Sequence, residues 1–388
     1  MILRIIALLT AIWTFICPLP RNPKVNINKE NWKTNYNYIW VHGLSGWGSY
    51  DSQYKLMPYW GMFGGDLLKY LNKQGYNCYA ASVAPEGSAW DRACELYAQL
   101  TGTKTDYGKA HSERCHHERF GKDFTGKALV SAFDEENKIN LLGHSFGGAT
   151  VRMFTSLMAK GDEEERACTD TSDISPLFTG GKADWIYSVT TLAAPHNGTT
   201  AYNTDENTEE TKTNPIEDML GNLVSAGTKG KDDGRIPSDY AAYDMYIDNA
   251  LRLNDSFALP ENVYYFSIAC SSTEPNGDGT YLPINAKTEI LFRSSATLIG
   301  AYKGETENGF VIDESWREND GLVNTCSALY PLNQPHTEFS EGNVSKGIWN
   351  VMPVYHGDHM SLQGGLFVKN DVRAYHAEML DMINSLNK

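Results

Sequence analysis

Residues 140–150 read NLLGHSFGGAT: an apolar run stops at Gly143, and Ser145 stands between glycines before a second apolar stretch. No other stretch constrains the fold as much. A serine boxed by glycines where a strand gives way to a helix requires a tight, strained turn whose neighbours have no room for Cβ atoms. The three fixed positions, Gly143-x-Ser145-x-Gly147, arise by chance in roughly one chain in ten of this length. Context therefore decides. KINLLG (138–143) reads as a strand and GGATVRMFTSLMAKG (147–161) as a helix, which makes Ser145 a candidate nucleophile and not merely a turn residue.

The flanking pattern gives the fold class. NYNYIWVHG (35–43), YNCYAASVAP (76–85), WIYSVTTLAAP (185–195) and NVYYFSIAC (262–270) read as further buried strands. GGDLLKYLNKQG (64–75) and DVRAYHAEMLDMINSL (371–386) carry apolar residues at helical spacing. Strands alternating with helices predict an α/β protein with a mostly parallel sheet flanked by helices. Two polar stretches, 86–137 and 196–250, break the rhythm and read as insertions above the strand C-termini, where such a sheet puts its site. TDENTEETKT (204–213) in the second reads as a solvated acidic loop.

With 33 basic and 48 acidic residues, the 388-residue chain carries a net charge of −15. That argues against nucleic acid and against docking on anionic lipid. The apolar run Ile5–Cys17 behind Arg4 is short for a membrane span and suits a secretory signal, expected over 1–20 and implying an extracellular protein. One domain is expected over 31–388. The seven cysteines are scattered without a CxxC and read as free thiols rather than a disulfide framework.

A serine hydroxyl needs a base, and in this strand–turn–helix setting the chain order is serine, acid, histidine. His336, His356, His359 and His376 lie late enough. His356 and His359 share the loop before the last helix, and the loop alone does not separate them. Asp320, in the turn pair Asp320-Gly321, is the candidate acid. Asp358 is a poorer one, because side chains of adjacent residues diverge. An oxyanion would be held by the Phe146 N–H, just after the serine, and by the Leu44 N–H in VHGLSGWG (41–48) after the first strand. His42 and His144 are given packing roles.

These residues carry a resemblance. VHGLSGWG, YWGMFGGDL, SAWDRACELYAQL, DYGKAHSERCHHERFG, GHSFGGAT, APHNGTT, AAYDMYIDNALRLN, ENDGLVNT and VYHGDH resemble the zinc-containing thermoalkaliphilic bacterial lipases of the α/β-hydrolase fold. Among these, the chain resembles the secreted clostridial-type polyester-cleaving esterases, over most of 36–388. The resemblance implies Asp320 as acid and His359 as base. It also implies a structural zinc site of Asp91, His111, His117 and Asp244, with Trp90 packed against it. His111 and His117 are six apart and would have to meet at a bend. Calcium is expected to be absent, because Ser361 and Leu366 stand where the family has carboxylates. The lid region within 196–250 looks shortened. The implied activity is carboxylic-ester hydrolysis through an acyl-enzyme, on short-to-medium acyl esters and on bulky or polymeric esters such as polyesters. The alternatives are a long-chain triacylglycerol lipase with interfacial activation, and a hydrolase-like binding protein without catalysis. The only partner expected is the ester substrate, with no obligate protein partner.

Overall fold

The computed structural model describes residues 25, 27–204, 234–366 and 370–387. The expected signal segment, 1–20, and the centre of the expected lid region lie outside the described residues.

Seven parallel strands form the central sheet: β1 (Asn37–Val41), β2 (Cys78–Ala81), β3 (Ile139–His144), β4 (Ile186–Leu192), β5 (Tyr264–Ile268), β6 (His336–Glu338) and β7 (Trp349–Val351). Their spatial order is β6-β7-β5-β4-β3-β1-β2. The strand carrying the glycine-boxed serine thus lies inside the sheet, paired on both edges.

β1 shows why the sequence folds this way. Its residues alternate between the two faces. Tyr38 and Trp40 join one core with Leu67, Leu68 and Leu71 of α1 (Leu67–Lys73) and with Leu380 and Ile383 of the last helix, Arg373–Ser385. Ile39 and Val41 join the other, with Ala93, Leu96 and Leu100 of α2 (Ala89–Thr101) and with Val151, Phe154 and Leu157 of the helix Gly147–Lys160. Both faces of β1 are covered, so it is apolar from Tyr38 to Val41, as a buried parallel strand requires.

The five strands expected from sequence are present, four with tighter bounds and β3 shifted one residue on, to Ile139–His144. The three-residue strands β6 and β7 were not foreseen. The stretch 86–137, expected to be an insertion, opens with α2, which packs on the sheet as a core helix. Beyond it come the antiparallel pair Lys104–Asp106 and Phe120–Asp123 and the short helix α3 (Lys109–Cys115). We call the helix Gly147–Lys160 α4, the short helix Ala241–Met245 α5 and the last helix α6. The six cysteines among the described residues are all free. No helix of the described residues is long and apolar enough to cross a membrane.

Candidate active site and metal centre

Ser145 leaves β3 with φ 55°, in the left-handed region that a side chain rarely occupies. The glycines make this turn possible by allowing close approach. A Cβ at Gly147 would fall on the carbonyl oxygens of Val41 and His42, and one at Gly143 on the backbone of Gly147. α4 begins immediately after the turn, so the Phe146 N–H is among the donors that no intrahelical carbonyl can satisfy.

Two loops meet the serine. His359 follows β7, and its Nε2 accepts from Ser145 Oγ at 2.8 Å. Its Nδ1–H donates to Asp320 Oδ2, also at 2.8 Å. Asp320 is fixed in turn: its Oδ1 accepts from the N–H groups of Leu322 and Val323, at 3.0 and 2.8 Å. The His359 N–H donates to the Asp320 carbonyl at 2.9 Å, tying the two loops together. All three side chains are buried, Ser145 being 9% exposed. This arrangement orients one imidazole tautomer, with Nε2 free to take the serine proton.

The competing candidates lie elsewhere. His356 and His336 are exposed. His376 is buried in the core, where its Nε2–H donates to the Leu362 carbonyl at 2.7 Å. Asp358 accepts from the N–H groups of Glu289 and Met360 and from Ser361 Oγ. Burial raises its carboxyl to about 7.

Leu44 follows β1 in a loop held at successive points. The Gly43 N–H donates to Tyr59 Oη at 3.1 Å, and the Ser45 N–H donates to the Pro85 carbonyl at 2.9 Å. Arg92, fully buried on α2, donates through Nη2 to the His42 carbonyl and through Nη1 to the Gly43 carbonyl at 3.4 Å. Its guanidinium also lies over the Phe146 ring, 5.1 Å from the centroid. Sequence reasoning passed over Arg92. Nothing in its local sequence marks it, because α2 also carries Asp91, Glu95 and Gln99.

A second cluster gathers around Asp91 of α2. His111, Cys115, His117 and Asp239 bring potential ligand atoms to within 4.8 Å of one another. His116 takes φ 62° and ends α3, which turns His117 back beside His111. His111 Nε2 lies 3.2 Å from Asp91 Oδ1 and 3.2 Å from Asp239 Oδ1. His117 Nε2 lies 3.7 Å from Asp91 Oδ1 and 3.5 Å from Asp239 Oδ2. Tetrahedral zinc, with bonds of about 2.0–2.2 Å, sets its ligand atoms about 3.3–3.6 Å apart. Protonation fits as well. His117 Nδ1–H donates to the Glu118 carbonyl at 2.9 Å, which leaves Nε2 a bare lone pair facing carboxylates. His117 Nε2 and Asp239 Oδ2 are buried without a hydrogen-bond partner among the described residues. A cation bound by Asp91, His111, His117 and Asp239 resolves both. Cys115 Sγ sits instead 3.8 Å from His111 Nδ1, on the far side of the ring. Trp90 stacks on His111, with ring centroids 5.0 Å apart.

Asp244, expected as a ligand, is corrected to Asp239. The Asp244 carboxylate caps α2 by accepting from the Ala89 N–H at 2.8 Å. Asp239 precedes α5 in a 3-10 turn, Pro237–Asp239, held to α2 by Ser88. The Ser88 N–H donates to the Asp239 carbonyl, and Ser88 Oγ donates to Asp239 Oδ1 at 3.0 Å.

Comparison with known proteins gives the family and the fold. The chain is 33% identical to "Lipase 2" of Staphylococcus aureus over 401 aligned residues, which cover 95% of this chain and 55% of that protein. It thus spans about half the length of the curated relatives it matches. Among solved structures it is similar to EstA from Clostridium botulinum, at TM-score 0.79 and 30% identity, covering 95% of this chain and 93% of that one. It is also similar to lipase 1 from Pelosinus fermentans, at TM-score 0.73 and 30% identity, covering 91% and 100%. Residues 34–234 and 230–387 match the family described as "Lipase-like, C-terminal domain", and the chain belongs to this family of staphylococcal- and clostridial-type bacterial lipases with the α/β-hydrolase fold.

Proposed function

We propose that the chain is a serine carboxylic-ester hydrolase. The observation that carries this reading is the continuous series Ser145 Oγ to His359 Nε2, and His359 Nδ1 to Asp320 Oδ2, hung on a serine with φ 55°. Ser145 attacks the ester carbonyl carbon while His359 takes the hydroxyl proton. Asp320 holds the ring and balances the charge on the imidazolium. The Leu44 and Phe146 N–H groups bind the oxyanion. His359 then returns its proton to the leaving alcohol, and water, deprotonated by the same nitrogen, releases the acid.

The second cluster holds zinc in this reading. Four protein ligands leave no open coordination position, so the ion is structural and pins the α3 segment to the turn at Asp239. No calcium is proposed at the loop after His359. There Ser361 Oγ donates to Asp358, and the Leu366 N–H donates to Glu289 Oε1 at 2.7 Å. We propose short-to-medium acyl esters and bulky or polymeric esters, including polyesters, as substrates. The signal-like residues 1–20 support an extracellular location.

The test is an ester panel from short acyl chains to insoluble polyester, run on wild type and Ser145→Ala. Loss of the nucleophile costs about 10⁶-fold in kcat in a worked serine hydrolase. Wild-type turnover of p-nitrophenyl butyrate by Ser145→Ala refutes the mechanism. Rates that climb steeply with acyl length, or jump above the micelle threshold, favour a long-chain triacylglycerol lipase. A wild-type chain left unlabelled by a fluorophosphonate probe is a binding protein.

A further inference from the structure

Three loops must keep register for the proposed reaction: the one after β1 with Leu44, the turn at Ser145, and the one after β7 with His359. A single buried hydrogen-bond chain touches all three. The Gly43 N–H donates to Tyr59 Oη at 3.1 Å. Tyr59 Oη meets His144 Nδ1 at 2.6 Å. His144 Nε2 meets the His359 carbonyl at 2.8 Å.

The two ends of this chain fix every proton in it. A carbonyl only accepts, so His144 carries its proton on Nε2. Its Nδ1 is then a lone pair and must accept, so the Tyr59 hydroxyl donates to it. The hydroxyl oxygen in turn accepts from Gly43. No member can reverse without breaking a bond. All members are neutral: burial lowers His144 to about 3 and holds the Tyr59 phenol above its usual value. Tyr59 is 4% exposed and His144 1% exposed, so a broken link leaves buried polar groups without water to replace it. Neither residue has another task in the mechanism. His144 is bonded through the backbone to Ser145, and a Cβ at Gly43 would lie 2.7 Å from Ser145 Cβ, so displacement of either loop reaches the nucleophile.

We propose that Tyr59 and His144 are positioning residues, forming a neutral relay that locks the oxyanion loop, the nucleophile turn and the base loop in one register. This rests on the ester-hydrolase reading above. Through the relay, the placement of Leu44 N–H depends on the placement of His359.

The experiment compares wild type, Ser145→Ala, Tyr59→Phe, His144→Leu and His144→Gln, measuring kcat and KM for p-nitrophenyl butyrate, affinity for phenylboronic acid, and Tm. The boronate adds to the serine oxygen as a tetrahedral anion and so reports the assembled site. Misplacement by about 1 Å costs on the order of 10²-fold in rate. Tyr59→Phe and His144→Leu are expected to lose roughly ten- to a hundredfold in kcat on that basis, with KM little changed and boronate affinity falling in parallel. His144→Gln restores a donor towards the His359 carbonyl and is expected to recover part of the loss. A residue that only fills space would lower Tm and leave boronate affinity and kcat unmoved, and that result overturns the proposal. If Tyr59→Phe does not fold, the His144 pair decides: equal activity of the Leu and Gln variants overturns it. Full activity of Ser145→Ala would instead mean that the ester-hydrolase reading has failed.

Discussion

The nucleophile turn and the metal cluster both border α2, through Arg92 and Asp91, and are built in contrary ways. The turn is local. Gly143, Ser145 and Gly147 span five residues, and the glycines' task is steric, set by backbone atoms of the turn itself and of Val41 and His42. The metal cluster is assembled over distance. Its four proposed ligands come from α2, from α3 and the bend after it, and from a turn more than a hundred residues further along the chain. A local device tolerates almost no change in the residues that form it. A long-range device depends on which residue the packing delivers, and a neighbour five positions away can look equally suitable in sequence.

The first way to break this comparison is at the turn's own partners. Asp320→Asn keeps the side-chain volume, but the amide no longer selects the tautomer in which His359 Nε2 accepts from Ser145. A fall in kcat of about 10⁴-fold is expected, by analogy with the same change in a worked triad. Steady-state kinetics on p-nitrophenyl butyrate measures it. A loss below tenfold would mean that the Asp320–His359 contact does not orient the base.

The metal cluster should fail through folding rather than chemistry. Asp239→Ala is expected to leave no bound zinc after dialysis against a chelator, and Asp244→Asn to keep about one ion per chain. With free zinc a thousandfold above Kd, the bound ion contributes about 4 kcal/mol to stability. Asp239→Ala should therefore lose the zinc-dependent increase in Tm, and Asp244→Asn should retain it. Zinc retained by Asp239→Ala and lost by Asp244→Asn would restore Asp244 as the ligand.

Arg92 joins the two regions, because it follows Asp91 on α2 and grips the His42 and Gly43 carbonyls. Among the described residues it has no carboxylate ion-pair partner, and burial lowers its guanidinium to about 10, so it is still charged at neutral pH. Arg92→Met removes the donor to the buried His42 and Gly43 carbonyls, which costs stability. The variant is expected to melt at a lower Tm, and its kcat to fall on the order of 10²-fold, as the oxyanion loop loosens. A zinc assay on the same variant separates this effect from loss of the metal.

Much of the architecture was legible because it is written in short-range periodicity. The alternation in β1 and the helical spacing in α6 name their own faces. β6 and β7 were not legible: three residues are too few to show a period, and their pairing with β5 is a tertiary fact. The serine could be read from its glycines, whereas His359 and His356 could not be separated by composition, only by the resemblance. Tyr59 and Arg92 escaped notice because a tyrosine in an aromatic loop and an arginine on a helix are ordinary in sequence. Only burial and the direction of their hydrogen bonds set them apart.

Histidine titration gives the smallest effect and sharpens the contrast once more. The metal-cluster imidazoles face carboxylates, while His376 packs against Trp40 in the core, ring centroids 5.1 Å apart, with one hydrogen bond. Burial lowers His376 to about 4, against 6.5 in the unfolded chain. The folded state therefore holds it neutral where the unfolded chain takes up a proton. Its contribution is present above about pH 6.5 and is lost as pH falls towards 4. At pH 5 the loss is about 2 kcal/mol, and near pH 7.5 it is close to zero. His376→Gln supplies an amide donor for the Leu362 carbonyl and does not titrate. The variant should be less stable than wild type at pH 7.5, through poorer packing. The gap should narrow by about 2 kcal/mol at pH 5, as measured by urea unfolding at both pH values. A gap that stays constant would mean that His376 is protonated inside the fold, with a partner that the core does not provide.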